Sequence, residues 1–238
     1  MTTQFPKVEP HGSIQEIFSD VYFVTGSVQF KPLLRLPRNM IILRDGEELT
    51  LVNTVRLDES GEAALEALGR VKHIMKIGFH GMDDDYYMDR YQPTRWAVPN
   101  ADGASEAASD ATLSDSTALP IPNARIFRFR ETVLPEAAIL LERDGGLLIT
   151  CDSVQHWAPH DLMSPAAKLV TRLLGFQHPA QIGPPWKGRQ TRAGGSLRPD
   201  FERILELPFK HIIGGHGGLL RNDGPARLAE TVRRVYGE

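Results

Sequence analysis

The sequence predicts an α/β fold in which sheets are covered on the outside by helices. Eight short apolar runs have the length and composition of buried or half-buried strands. Amphipathic segments alternate with them, in the order strands, helix, strand, helix, strands, helices, strand, helix. Asp-Gly pairs at Asp45-Gly46 and Asp144-Gly145 are typical of hairpin turns. The sheets are therefore expected to be partly antiparallel, unlike those of a Rossmann domain.

The predicted strands follow the apolar runs closely. Each run is bounded by polar or turn-forming residues, which marks its ends. The runs are residues 21–27, 39–44, 48–53, 73–79, 125–130, 137–142, 146–151 and 210–215.

Four segments are predicted to be helices. "LDESGEAALEALGRV" has an acidic start and ends at Gly69, as expected at the two termini of a helix. "SPAAKLVTRLLGF" opens with Ser164 and Pro165, a capping residue followed by a first-turn proline, and stops at Gly175. "RPDFERILEL" and the final "GPARLAETVRRVYGE" are amphipathic as well.

Residues 1–238 are interpreted as one domain, which suits an α/β chain of this length. Within it, residues 101–118 are small, polar and acidic and predict a flexible surface loop. The net charge of −3 gives no basic surface for nucleic acid or anionic lipid. No apolar run is long enough to span a bilayer, and we expect no signal peptide. The single cysteine, Cys151, favours a reducing cytoplasm.

Potential metal ligands follow three of the strand-like runs. His80 and the Asp83–Asp85 run come after residues 73–79, Asp152 after 146–151, and His216 lies in "GGHGG" after "KHII". Carboxylates and imidazoles are suitable donors for a divalent cation. Taken singly, each has an ordinary alternative, such as a structural histidine, a tight turn or an acidic helix start. Their joint placement after successive strands favours a metal site.

The order of these motifs resembles the metallo-β-lactamase-fold superfamily over nearly the whole chain, from about Ile14. That resemblance implies a four-layer αββα sandwich of two mixed sheets with a metal site along one edge. "LLITCDS" resembles the family's strand ending in Gly-Asp, with Cys151 in place of the glycine and Asp152 as the bridging aspartate. "HIIGGHGG" resembles its last metal motif, with His216 as the ligand.

The departures from the family pattern imply that half of the metal site is lost. In "FHGMDDD", His80 takes the first histidine of the His-x-His-x-Asp-His loop, and Met82 replaces the second. The family's mid-chain histidine falls on Val133. Methionine is a weak ligand and valine is none, so the first of two metal sites is expected to be absent.

The second site is expected to be retained in altered form. The resemblance assigns it Asp84, Asp85 (in place of a histidine), Asp152 and His216. Three carboxylates move the preference from zinc toward manganese, iron or magnesium. The expected cofactor is one divalent ion, namely manganese, iron or zinc, and the absence of any metal stays an alternative.

Several other residues lie near these positions in sequence. Glu131 and Glu136 flank the lost histidine, and His156 and His160 follow Asp152, where a loop role is favoured. Residues 182–195, which carry Trp186, Lys187, Arg189 and Arg192, predict an exposed loop that is able to overhang the site.

Two functions from different classes are compatible with these residues. The favoured one is a metal-dependent hydrolase acting on an unidentified small molecule, with His80, Asp84 and Asp152 as catalytic residues. The alternative is a catalytically silent binding or scaffolding module, since a fold does not fix a function. A nucleotide-binding protein is disfavoured, because the chain has neither Gly-x-Gly-x-x-Gly after its first strand nor a P-loop. Assembly as a homo-oligomer stays open.

Overall fold

The computed structural model describes residues 5–99, 109–157 and 161–237, which form thirteen strands and six helices. The strands are β1 (Gln15–Phe18), β2 (Val21–Lys31), β3 (Leu34–Asp45), β4 (Glu48–Val52), β5 (Arg70–Lys76), β6 (Thr94–Ala97), β7 (Ala111–Thr112), β8 (Ala124–Arg128), β9 (Ala137–Leu141), β10 (Leu147–Ile149), β11 (Val154–Gln155), β12 (Gln181–Ile182) and β13 (His211–Ile213). The helices are α1 (Glu59–Leu68), α2 (Asp84–Tyr91), α3 (Pro165–Leu173), α4 (Pro184–Gln190), α5 (Arg198–Leu205) and α6 (Gly224–Tyr236).

The two large sheets are both mixed. The first has the order β1-β2-β3-β4-β5-β6-β7, antiparallel as far as β4 and parallel beyond it. The second has the order β13-β10-β9-β8, in which only the β10–β13 pair is parallel. Strands β11 and β12 form a separate antiparallel pair. The predicted hairpins at Asp45-Gly46 and Asp144-Gly145 are confirmed, since they join β3 to β4 and β9 to β10.

Side-chain alternation along the strands builds three apolar layers. In β3, Ile41 and Leu43 face the second sheet, whereas Met40 and Ile42 face α1 and α2. In β9, Ile139 packs between the sheets. The other face of the second sheet packs against α5 and α6. These three interfaces make the four-layer αββα sandwich, so the predicted fold class is confirmed.

Helix α3 begins as the sequence predicts. Pro165 occupies its first turn, and the side chain of Ser164 accepts a hydrogen bond from the backbone N–H of Ala167 at 3.2 Å. Helix α1 has Asp58 in the same capping role, accepting from Gly61 at 2.8 Å. The prediction of an exposed loop over residues 182–195 was wrong, because α4 lies there and Trp186 packs on Phe129 and Phe201.

The predicted acidic loop lies partly outside the described residues, which resume at residue 109. From there the chain forms β7, which pairs with β6, and Leu113 is buried between the sheets. In the part of the chain that the structure describes, no helix is both long and apolar enough to cross a lipid bilayer.

Candidate metal centre

Three strand ends bring their following residues to one edge of the sandwich. Asp152 follows β10 and His216 follows β13, and these strands are parallel neighbours, so their carboxyl ends coincide. The backbone N–H of Gly215 donates to the carbonyl of Cys151 at 2.8 Å and keeps the two extensions together. His80 follows β5 of the other sheet. The fold therefore places two imidazoles and one carboxylate at the same edge.

The donor atoms of these three side chains lie close together. Nε2 of His80 is 3.1 Å from Nε2 of His216, and Oδ1 of Asp152 is 3.3 Å from the former and 3.1 Å from the latter. Donors that share one first-row ion at about 2.1 Å lie about 3.0–3.4 Å apart. Two imidazole nitrogens and a carboxylate oxygen are also an established donor set for zinc and iron(II). The residues present therefore fit a single divalent cation.

A hydrogen bond to the backbone of strand β3 orients the ring of His216. Its Nδ1 lies 2.6 Å from the carbonyl oxygen of Pro37, which can only accept, so Nδ1 carries the proton. In the neutral ring, Nε2 then keeps its lone pair toward Asp152 and His80. Hydrogen bonding of the second ring nitrogen to a backbone carbonyl is the usual support of a metal-binding histidine.

Asn39 fixes the loop that carries His216. Its Nδ2 donates to the carbonyls of Gly214 and Gly217 at 3.0 and 2.8 Å, and its Oδ1 accepts from Thr25 Oγ1 at 2.8 Å. The backbone N–H of Asn39 also donates to Gly215 at 2.8 Å. The amide is fully buried with both ends bonded, so it orients the loop rigidly.

Asp152 is ionised in this environment. Burial opposes its ionisation, but the positive charge of the protonated His80 and His216 rings, with their hydrogen bonds to the carboxylate, holds its pKa well below the usual range. Gln155 Nε2 donates to the same carboxylate oxygen at 3.1 Å. The site thus offers one full negative charge with two imidazole nitrogens.

Two buried acidic groups, the Cys151 thiol and the Glu136 carboxyl, lie close to Asp152. The Sγ of Cys151 lies within 4.8 Å of the donor atoms of His80 and Asp152. Burial, with the nearby Asp152 and Glu136 carboxyls, raises the pKa of this thiol well above its usual range. Burial and the charge of Asp152 likewise raise the pKa of the Glu136 carboxyl well above its usual range. Gly78 permits this packing, because a Cβ there would lie 2.6 Å from Glu136 Oε2 and 2.9 Å from Cys151 Sγ.

The aspartates predicted from the "MDDD" run have other partners. Asp84 is buried and accepts from Thr54 Oγ1 at 2.5 Å, and burial raises its pKa to about 6. Asp85 is exposed and pairs with Arg95. The structure therefore joins His80, Asp152 and His216 and leaves Asp84 and Asp85 out of the cluster. Asp83 accepts from the buried Arg38 and from the backbone N–H of Arg56 at 2.8 Å, so it is structural.

The remaining sequence candidates occupy varied places. Met82 and Val133, which the resemblance aligns with histidines of the family pattern, are both more than half exposed. The backbone N–H of Glu131 donates to Asp200 at 2.9 Å. The carbonyl of His156 accepts a hydrogen bond from the backbone N–H of Gly218 at 2.8 Å, a loop role, and His160 lies outside the described residues.

Sequence reasoning missed Asn39 and Pro37 as supports of the site. Neither position carries a motif signal, because each acts through contacts more than 170 residues away in sequence.

A cavity of about 390 Å³ opens beside the three donors. His80, Asp152 and His216 form its polar end. Trp157 stacks on His216 with ring centroids 5.1 Å apart and forms part of the wall. Helix α4 adds Pro185, Trp186 and Arg189, and the Arg189 guanidinium lies 4.9 Å from the ring of Phe79. A volume of this size suits a small organic molecule.

No family model matches the sequence, and no curated protein matches it. Solved metallo-β-lactamases nevertheless superpose over nearly the full length of both chains. VMB-1 gives a TM-score of 0.67 at 11% identity, covering 96% of this chain and 99% of that chain. FIM-1 from Pseudomonas aeruginosa, in its mono-zinc form, gives 0.61 at 14% identity, covering 97% and 98%. The enzyme from Pontibacter korlensis gives 0.62 at 14% identity, covering 93% and 98%. The chain therefore has the metallo-β-lactamase fold.

Proposed function

We propose that this protein is a metal-dependent hydrolase with a single-ion site. The observation that carries the proposal is the triangle of His80 Nε2, His216 Nε2 and Asp152 Oδ1, with sides of 3.1 to 3.3 Å, at the end of a small-molecule cavity. FIM-1, which has the same fold, was solved in a mono-zinc form, so a one-ion arrangement is compatible with this architecture. When bound, such an ion lowers the pKa of a water molecule and polarises a carbonyl or phosphoryl oxygen.

The three side chains have distinct roles in this proposal. His216 presents Nε2 because Pro37 fixes its tautomer, and His80 presents Nε2 from the opposite sheet. Asp152 supplies the negative charge that offsets part of the cation's charge. The proposal gives His80 the ligand role rather than a separate acid–base role, since its Nε2 faces the other two donors.

The proposed ion is zinc or iron(II) rather than magnesium. The oxygen-rich ligand set inferred from the sequence included Asp84, which is hydrogen-bonded to Thr54, and Asp85, which is paired with Arg95. Two imidazole nitrogens and one carboxylate oxygen are softer donors than that set, and imidazole suits zinc and iron better than magnesium.

The test is the metal content of protein purified without chelators. We expect about one equivalent of ion per chain in the native protein and in His178→Ala, which alters an exposed histidine. His216→Ala and Asp152→Ala are expected to retain far less. Hydrolysis of a panel of esters, thioesters and phosphodiesters should decline in the same two variants. Native protein that neither contains nor takes up any divalent metal would contradict the proposal.

A catalytically silent module is the second candidate. It is favoured by Met82 and Val133, which stand where the family pattern has histidines, so the resemblance implies that the first of its two metal sites is lost. Such a protein would retain the three donors and the cavity without turnover. Stoichiometric metal binding with no hydrolysis of any substrate in the panel would favour this function over the hydrolase.

A further inference from the structure

The cavity beside the metal centre is polar at one end and apolar along most of its wall. The donors His80, Asp152 and His216 occupy the polar end. Much of the remaining lining comes from the β2–β3 hairpin and from helix α3 with the residues after it. Its apolar members include Val28, Phe30, Leu36, Val170, Leu174 and Phe176.

Several of these apolar side chains are open to solvent. Phe30 is 66% exposed, Phe79 66%, Met82 54% and Leu174 45%, and all four line the cavity. A group of large, exposed apolar side chains around one opening is uncommon on the surface of a soluble protein and indicates a binding region. Contact with an apolar ligand would remove this surface from water, which is favourable in proportion to the area covered.

Two polar groups near the wall are already engaged. Arg38 pairs with Asp83 and donates to the Thr54 carbonyl at 3.0 Å. The hydroxyl of Thr171 donates to the Ala167 carbonyl within α3 at 2.8 Å. These two groups are therefore not available to a polar ligand body, and the guanidinium of Arg189, which also lines the cavity, lies 4.9 Å from the ring of Phe79.

We propose that the substrate is a carboxylic ester of an unbranched apolar acyl chain. Its carbonyl group lies at the donor end, and its chain lies between the β2–β3 hairpin and the α3 segment. A volume near 390 Å³ lies within the range of small-molecule sites, about 300–1,000 Å³.

This inference rests on the proposed hydrolase function. In the reaction, water adds its oxygen to the carbonyl carbon, and the bond from that carbon to the alcohol oxygen breaks. The acid keeps the oxygen of water, and the alcohol leaves with a proton. No oxidant or further reactant is required.

Chain length is the first test. The p-nitrophenyl esters of two-, four-, eight- and twelve-carbon acids would be assayed with zinc-loaded protein, at concentrations below those at which the esters form micelles. We expect kcat/KM to rise with each added methylene, by at most about fourfold where the methylene is fully buried. The rise should end when the chain outgrows the cavity.

Neighbouring leucines provide matched variants. Leu174 lines the cavity, whereas Leu173, one residue earlier and also exposed, is absent from the lining. Phe30 and Leu33 are a second such pair on the hairpin. Leu174→Gln and Phe30→Gln should flatten the chain-length dependence, and Leu173→Gln and Leu33→Gln should leave it unchanged. All four side chains are exposed, so folding is expected to tolerate the changes.

A binding measurement separates this inference from catalysis. Trp157 and Trp186 line the cavity, so decanoate should change tryptophan fluorescence saturably in metal-free protein, more tightly than butyrate does. Leu174→Gln should weaken that binding, unlike Leu173→Gln. Ester hydrolysis with no dependence on chain length, together with equal binding of butyrate and decanoate, would overturn this inference and leave the hydrolase standing. Selective decanoate binding without hydrolysis of any ester would overturn the hydrolase and still support the apolar chain as ligand.

Discussion

The Nδ1 of His216 lies 2.6 Å from the carbonyl oxygen of Pro37, on a strand more than 170 residues earlier in the chain. A backbone carbonyl accepts hydrogen bonds and never titrates, so it fixes the proton on Nδ1 and turns the Nε2 lone pair toward Asp152 and His80. The first sheet thereby orients a donor that belongs to the second sheet. The proposed centre is thus built across the sandwich rather than within one loop.

Added zinc or iron(II) should stabilise the native protein. An ion at 100 times its dissociation constant that binds only the folded state adds about 2.7 kcal/mol to the free energy of unfolding. For a chain of this size that corresponds to a rise in Tm of about 5–10 °C. Differential scanning fluorimetry across a range of ion concentrations measures the rise and its saturation. Asp152→Asn should abolish it, and an equal shift in that variant would exclude the proposed site.

Removal of the Asn39 amide should weaken both stability and metal binding. Asn39→Ala leaves the buried carbonyl of Gly214 and the partly buried carbonyl of Gly217 without their donor, which costs about 1–3 kcal/mol in the free energy of unfolding. It also frees the loop that carries His216, and loss of such outer support lowers metal affinity about 10- to 100-fold.

Thr25→Val is the matched control for Asn39→Ala. It removes only the hydroxyl that donates to Asn39 Oδ1, and it leaves both loop contacts in place. Urea unfolding and competition with a chromophoric chelator measure the two effects. Equal zinc affinity in Asn39→Ala and the native protein would show that Asn39 supports the fold but not the ligand.

The two glycines that follow His216 should differ sharply in their tolerance of alanine. Gly217 has φ +82°, and a Cβ there would lie 2.1 Å from the carbonyl oxygen of His156. Gly217→Ala therefore combines an unfavourable backbone conformation, about 1–2 kcal/mol, with a backbone clash that moves His216. At Gly218 a Cβ meets nothing within 4 Å. We expect Gly217→Ala to lose bound metal and Gly218→Ala to retain it, as metal analysis of the two purified proteins would show.

The sequence predicted those parts of the fold that depend on local signals. Gly46, Asp144 and Gly145 have the positive φ angles that tight turns need, and both turns join the expected strands. Helix α4 was missed because its two prolines indicate a loop, although proline is equally suited to the first turn of a helix. What stabilises α4 is the burial of Trp186 against residues distant in sequence, which no local pattern reveals.

Some residues of the candidate site were likewise predictable from the sequence, and others were not. His80, Asp152 and His216 follow strands whose ends meet, so their positions were predictable from strand order. Asp84 and Asp85 lie apart from the three donors because α2 begins at Asp84, and successive helical residues point in directions about 100° apart. One carboxylate is therefore buried beside Thr54 while the next is directed toward solvent and Arg95.

Asp84 should make the stability of the protein fall as the pH rises from about 4 to about 6. Burial raises the pKa of its carboxyl from 3.8 to about 6, against the opposing effects of the Thr54 hydroxyl and of Arg95 and Lys76. Within that window the folded chain holds a proton that the unfolded chain has released, so ionisation costs stability, and above it the cost is constant. Asp84→Asn removes the ionisation and retains an oxygen for Thr54.

The free energy of unfolding of Asp84→Asn relative to the native protein should therefore increase between pH 4 and 6, by on the order of 2–3 kcal/mol, and level off above pH 6. Urea unfolding at intervals of half a pH unit measures the difference. Any constant cost of the new amide shifts the whole curve without changing its slope. Asp85→Asn, at an exposed position, should run parallel to the native protein. A parallel curve for Asp84→Asn as well would mean that the buried carboxyl is ionised throughout, with Arg95 and Lys76 outweighing its burial.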